Sequence, residues 1–379
     1  MAHGDQPLVV IRADGGPELG HGHVRRCLNV ADYLRSEGFQ LVFVLRGPDH
    51  CLLSLVQNSK FRVIELPTEN VAAVTAFDHE IGEKEFTSMA QDALETASAL
   101  KRHLPNRSIA WVITDHLFIR SPWQAEFRAL TRCRVLAIDG QANYTHDADI
   151  LVDPQLSDAP FEKWRMLIPD HCQLFSGPAC LPLPKAFVVV RSKAAIRSHP
   201  MSRILVCFGG SDPRNVVTRT VKVLMEWLLT RNQTAIAVDL VIPEKALCRD
   251  EIAHSFGHHG QLTVHAGIDD LAPLMLAASL SLGGGGIMMW ERCMLGLPAI
   301  VVPLAPNQVK PIANMASKGS VLALRSLGGH YEQDLRMALD HMINDQTLLA
   351  NLSGNAFDIM WGWPDSQGWL NSLKSLTHE

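Results

Sequence analysis

Leu8-Val9-Val10-Ile11-Arg12-Ala13-Asp14-Gly15-Gly16-Pro17-Glu18-Leu19-Gly20-His21-Gly22-His23-Val24-Arg25-Arg26-Cys27 carries a strand, a turn and the start of a helix. Leu8 to Ile11 has the unbroken hydrophobicity of a strand buried on both faces. A glycine-rich turn follows, and helical spacing then runs over about residues 24–37 until Gly38 ends it. Gly20 and Gly22 would let a ligand approach the backbone closely, and the helix start offers unpaired N–H groups to an anion. His23 stands at that start, where the positive end of the helix dipole favours a neutral imidazole fit to act as a general base. The glycines do not match the dinucleotide fingerprint G-x-G-x-x-G, because its third glycine would fall on Arg25. His21 and His23 stand two apart near Asp14, but no second ligand cluster accompanies them, so no metal is expected.

The alternation continues outward. Residues 40–45, 61–64, 110–114, 134–138 and 150–152 read as further strands, and Ser88 to His103 as a helix. The second half repeats the scheme: 203–208 leads into Gly209-Gly210-Ser211-Asp212 and a helix over 215–229, then strands at 238–242, 262–264, 280–282 and 299–302. This is the α/β pattern of parallel strands joined by crossover helices, arranged as two Rossmann-like domains. The expected division is an N-terminal domain over 1–180, a nucleotide-binding domain over 186–360, and a closing helix within 361–379. Pro178, Pro182 and Pro184 with Gly177 mark residues 176–185 as the linker.

Composition agrees with two packed domains. The chain has 379 residues, 47% hydrophobic and 19% charged, and its 34 Lys+Arg against 39 Asp+Glu give a net charge of −5. No Lys/Arg run exists to build a nucleic-acid groove. The eight cysteines form no C-x-x-C pair, and the start is short and polar, so neither a disulfide framework nor a signal peptide is expected. Leu271 to Trp290 is uncharged, but Pro273 and Gly283–Gly286 argue for short elements rather than a membrane span. A soluble protein of a reducing, cytoplasmic compartment is expected. Nothing in the sequence specifies an oligomeric state.

Three further segments carry candidate chemistry. Gly209, Gly210, Ser211 and Asp212 suit a phosphate or sugar at a helix start. Gly283-Gly284-Gly285-Gly286 follows an apolar strand, and bare amides in such a loop can wrap a pyrophosphate. Glu291, a turn later, could accept hydrogen bonds from ribose hydroxyls, or be a solvated helix carboxylate. Asn307 and Gln308 place two amides beyond a strand end, where they could read a sugar or phosphate.

Together these blocks resemble the nucleotide-sugar hydrolases of pseudaminic acid biosynthesis, grouped with spore-coat polysaccharide proteins. The resemblance runs over about residues 8–315. Arg12-x-Asp14, Leu19-Gly20-x-Gly22-His23-x-x-Arg26-Cys27, Asp115-His116, Ile138-Asp139 with His146 and Asp149, and Gly177-Pro178 carry it in the first half. Gly209–Asp212, Gly285-Gly286, Trp290-Glu291 and Pro303 with Asn307-Gln308 carry it in the second. It implies a GT-B fold like that of MurG-type glycosyltransferases, with two sheets facing a cleft. It also implies cofactor- and metal-independent hydrolysis of a UDP-linked acetamido-deoxy sugar with inversion. By the same analogy His23 is the base, with Arg12, Asp14, Gly20 and Gly22 at the substrate. Asn307 and Gln308 then hold the substrate, and Glu291 with the Gly285-Gly286 loop holds the nucleotide. The chain departs from the family's usual Tyr, Asp, Tyr and Ser-Thr at Leu117, Gly140, Cys180 and Ile287-Met288. A glycosyltransferase, or a binding protein without catalysis, are the alternatives.

Overall fold

The computed structural model describes residues 6–15, 21–67, 83–180, 182–210, 212, 215–363 and 367–377. The chain divides into two compact units, Met1–Pro182 with Trp363–Glu379, and Leu183–Gly362.

Unit 1 holds seven parallel strands: β1 Leu8–Ala13, β2 Gln40–Arg46, β3 Arg62–Leu66, β4 Ile109–Asp115, β5 Arg134–Ile138, β6 Ile150–Asp153 and β7 Gln173–Ser176. Their order is β3-β2-β1-β4-β5-β6-β7, so the chain reverses direction across the sheet between β1 and β4. The period-two alternation of β1 explains its two-sided burial. Val9, Ile11 and Ala13 enter one core with the helix Gly22–Ser36, whose Val24, Cys27, Ala31 and Leu34 face it. Leu8 and Val10 enter the other core, with Trp123, Phe127 and Trp164. The helix Gly368–Thr377 closes the first of these cores. Its Trp369 is buried and donates through Nε1 to the Cys180 carbonyl at 2.6 Å. Trp361, by contrast, lies in a turn and is 83% exposed, so the expected closing helix begins only after it.

Unit 2 holds six strands: β8 Arg203–Cys207, β9 Ala237–Ile242, β10 Leu262–Ala266, β11 Leu280–Gly284, β12 Ala299–Val302 and β13 Leu322–Ala323. All ladders are parallel, in the order β10-β9-β8-β11-β12-β13, and this sheet reverses between β8 and β11. The helix Val216–Thr230 packs Val217, Val221, Leu224 and Leu228 onto one face.

Strands β7 and β13 lie outside the sequence-based expectation. Gln173-Leu174-Phe175-Ser176 is only partly buried, and β13 has two residues, so neither shows a long apolar run. The boundary between the units, after Pro182, falls inside the expected linker, although its start is structured: Ser176 ends β7 and Pro178–Cys180 is a buried 3-10 turn. No described helix is long and apolar enough to cross a membrane.

Candidate functional site

In open parallel sheets, ligands settle beyond the carboxyl ends of the strands where the chain reverses. In unit 1 these ends form a row of aspartates on adjacent strands: Asp14 follows β1, Asp115 ends β4, Asp139 follows β5 and Asp153 ends β6. Each has a basic or imidazole partner.

Asp115 is fully buried, and its Oδ1 lies 2.6 Å from His23 Nδ1. Arg26 grips the same carboxylate with Nε at 2.6 Å and Nη2 at 2.5 Å. Burial alone would raise the Asp115 pKa, but Arg26 and His23 hold it well below the ordinary carboxylate range. An ionised carboxylate only accepts, so the proton of a neutral His23 sits on Nδ1 and Nε2 keeps its lone pair. The His23 side chain remains 19% exposed. His23 and Arg26 lie three apart on one helix, which brings both to the end of β4.

Arg12 and Asp14 form a deeper layer. The Arg12 guanidinium is buried between Asp14 at 2.5 Å and Asp92 at 3.0 Å, and Arg46 Nε donates to Asp92 at 2.8 Å. His116 accepts the Phe118 N–H at Nδ1 and therefore donates through Nε2 to Asp14 at 3.0 Å. Burial raises the pKa of Asp14 and Asp92, yet their cations outweigh it, and Asp92 falls to about 2. Arg12 and Asp14 are thus paired to each other beneath the strand ends. Further along, His146 donates to Asp139 at 3.2 Å, and Lys163 to Asp153 at 2.6 Å. A Cβ at Gly22 would meet nothing within 4 Å, leaving the open approach expected there. Gly20 lies outside the described residues.

In unit 2 the glycine run splits in two. Gly283 and Gly284 belong to β11, and Cβ atoms there would lie 2.2 Å from Arg292 Nη2 and 2.7 Å from Leu304 Cδ1. Gly285 is crowded by Ile312 and donates its N–H to Gln308 Oε1 at 3.1 Å, whereas Gly286 faces open space. Three of the four glycines therefore have packing reasons, and only Gly286 leaves its backbone open. Gln308 Oε1 also accepts the Leu304 N–H at 3.0 Å, so this oxygen ties the loop together. Asn307, in the turn Pro306–Gln308, is exposed.

Gly209 has φ +99°, which requires glycine, and it lies with Gly210 just past β8. Ser211 is outside the described residues. Asp212 accepts the N–H groups of Val216 at 2.6 Å and Val217 at 3.3 Å, occupying the helix start expected to take a phosphate. Burial outweighs these amides and raises the Asp212 pKa. Glu291 is 7% exposed on the helix Met288–Met294, so it is not a solvated carboxylate.

Three of the departing residues, Gly140, Cys180 and Met288, are packed against neighbours. A side chain at Gly140 would run into Gln155 Cγ at 2.2 Å, Cys180 is buried under Trp369, and Met288 Sδ lies 3.6 Å from Cys207 Sγ. Among the described residues, no group of three His, Cys, Asp or Glu side chains could hold a metal ion.

No protein-family model matches the chain. An uncharacterized protein of Methanocaldococcus jannaschii is 25% identical over 299 residues, 78% of this chain, but the match spans only 55% of that relative's length. The spore coat polysaccharide biosynthesis protein SpsG of Bacillus subtilis is 20% identical over 91% of this chain and 88% of its own. Among solved structures, Acinetobacter baumannii MurG superposes with a TM-score of 0.64 and 15% identity, covering 98% of this chain and 100% of MurG. Staphylococcus aureus MnaA, solved with UDP, gives 0.61 and 12%, covering 98% of this chain and 97% of MnaA. Two parallel α/β units with these neighbours establish that the chain has the GT-B fold.

Proposed function

We propose that this protein is an enzyme acting on a nucleotide sugar, with His23 as general base and the nucleotide held in unit 2. The observation that carries it is the contact between His23 Nδ1 and Asp115 at 2.6 Å, with Arg26 fixing the carboxylate. That arrangement keeps Nε2 ready to take a proton from an attacking hydroxyl. The hydroxyl oxygen bonds to the anomeric carbon, its proton passes to Nε2, and the bond to the diphosphate breaks. The nucleoside diphosphate leaves with the electron pair and the configuration inverts. A diphosphate leaves readily, so positioning and charge stabilisation are the main demands on the protein.

Transfer to an acceptor hydroxyl is the leading reading, supported by the likeness to MurG and to a relative named for polysaccharide biosynthesis. Hydrolysis, with water in place of the acceptor, is the second reading. It is favoured by Leu19-Gly20-x-Gly22-His23-x-x-Arg26-Cys27, the block that resembles the nucleotide-sugar hydrolases. UDP release from a panel of UDP-sugars, with and without acceptor sugars, separates the two. Acceptor-dependent release supports transfer, acceptor-independent release supports hydrolysis, and no release from any donor overturns both.

A further inference from the structure

Unit 2 buries a cation where its sheet reverses. Arg292 is 1% exposed, and it donates through Nη1 to the Gly284 carbonyl at 3.1 Å and through Nη2 to the Cys207 carbonyl at 3.4 Å. These carbonyls end β11 and β8, the two strands flanking the reversal, so the guanidinium spans the crevice floor. Its Nε has no hydrogen-bond partner, and no carboxylate forms an ion pair with it among the described residues. Gly283 is required by this placement, because a Cβ there would lie 2.2 Å from Nη2.

Arg197 provides the contrast. It is also buried, but its donors reach the carbonyls of Ala195, Met275, Leu276, Ala278 and Leu295, around the ends of the helices Ala272–Ala277 and Met288–Met294. Helix C-termini attract cations, and that accounts for Arg197. Arg292 has only two strand carbonyls, which compensate a buried charge poorly. Burial lowers the pKa of Arg292, as it does that of Arg197, and the nearby Cys207 and Glu291 offset this only in part, with no carboxylate in direct contact.

We infer that Arg292 is a positioning residue for anion binding, its charge under the Gly284–Gly286 loop setting the affinity for the diphosphate of a nucleotide. The inference rests on the proposed nucleotide site in unit 2. Being buried, Arg292 acts through its field and through the strand ends it holds, and salt screens such a charge weakly. Diphosphate recognition by a nearly neutral chain then needs no exposed basic patch.

The test is calorimetric titration of the full chain with UDP and with uridine. Arg292→Met removes the charge, and Arg292→Gln removes it while keeping donors for the two carbonyls. Either folded variant should bind UDP about tenfold more weakly, with uridine affinity unchanged, whereas Arg292→Lys should retain most of the discrimination. Unchanged UDP affinity in a folded neutral variant, or equal weakening of UDP and uridine, would overturn the inference. If the unaltered chain binds neither ligand, the nucleotide reading itself fails and this inference with it. If Arg292→Met does not fold, Arg292→Gln gives the same ratio.

Discussion

At the reversal between β1 and β4, unit 1 gathers carboxylates and matches each with a base: Asp14 with Arg12 and His116, Asp115 with His23 and Arg26. At the reversal between β8 and β11, unit 2 removes side chains with Gly209, Gly283 and Gly284 and leaves one guanidinium beneath. The same topology thus carries different charge arrangements. Paired carboxylates orient imidazoles, as proton transfer requires, while a buried cation with no carboxylate in direct contact suits an anion that arrives from outside. Under the proposed function these are the needs of the nucleophile and of the leaving group.

Substitutions at the proposed base should have the largest effects. His23→Ala is expected to lower turnover by about 10³-fold, read as UDP release. Asp115→Asn should cost about 10²-fold, because the amide can donate to Nδ1 and so favours the wrong tautomer. Retained activity in Asp115→Asn would show that the pair is structural only.

Within the glycine run, two substitutions sharpen the comparison. Gly283→Ala would place Cβ 2.3 Å from the Cys207 carbonyl, backbone that cannot swing aside, and should destabilise unit 2 by about 2–3 kcal/mol in urea unfolding. Gly286→Ala meets nothing within 4 Å and should leave unfolding unchanged, while weakening UDP binding if the loop approaches the ligand.

Acid should distinguish the units next. Asp14, Asp92 and Asp115 all have folded pKa values below the ordinary carboxylate value, so their stabilisation is full above about pH 4 and is lost as pH falls. For Asp92, with a folded value of about 2, the loss approaches about 2 kcal/mol. Melting curves at pH 7 and 3 should show the decline, and pepsin at pH 3 should cleave unit 1 before unit 2. Simultaneous cleavage of both units would contradict this charge asymmetry.

Much of the fold was legible because both sheets are buried on two faces, so strands such as Val9–Ile11 and Leu205–Cys207 appear as unbroken apolar runs followed by glycine. His23 was legible for a local reason, its place at a helix start. Its partners were harder to find: Asp115 lies 92 residues away, and only the fold joins them. A signal did exist, since Asp14, Asp115, Asp139 and Asp153 each stand at the carboxyl end of an apolar strand or one residue past it. Arg292 gave no such signal. In sequence it is one charged residue beside Glu291 in a short helix, and only the tertiary packing against Gly283 shows that it is buried.

The division of roles between the two reversals is tested most directly by measuring UDP affinity and turnover together in His23→Ala. Turnover should fall by about 10³-fold while the UDP dissociation constant stays within about twofold of the unaltered protein. Loss of UDP binding in step with turnover, or turnover left intact, would contradict a base in unit 1 serving a nucleotide held by unit 2.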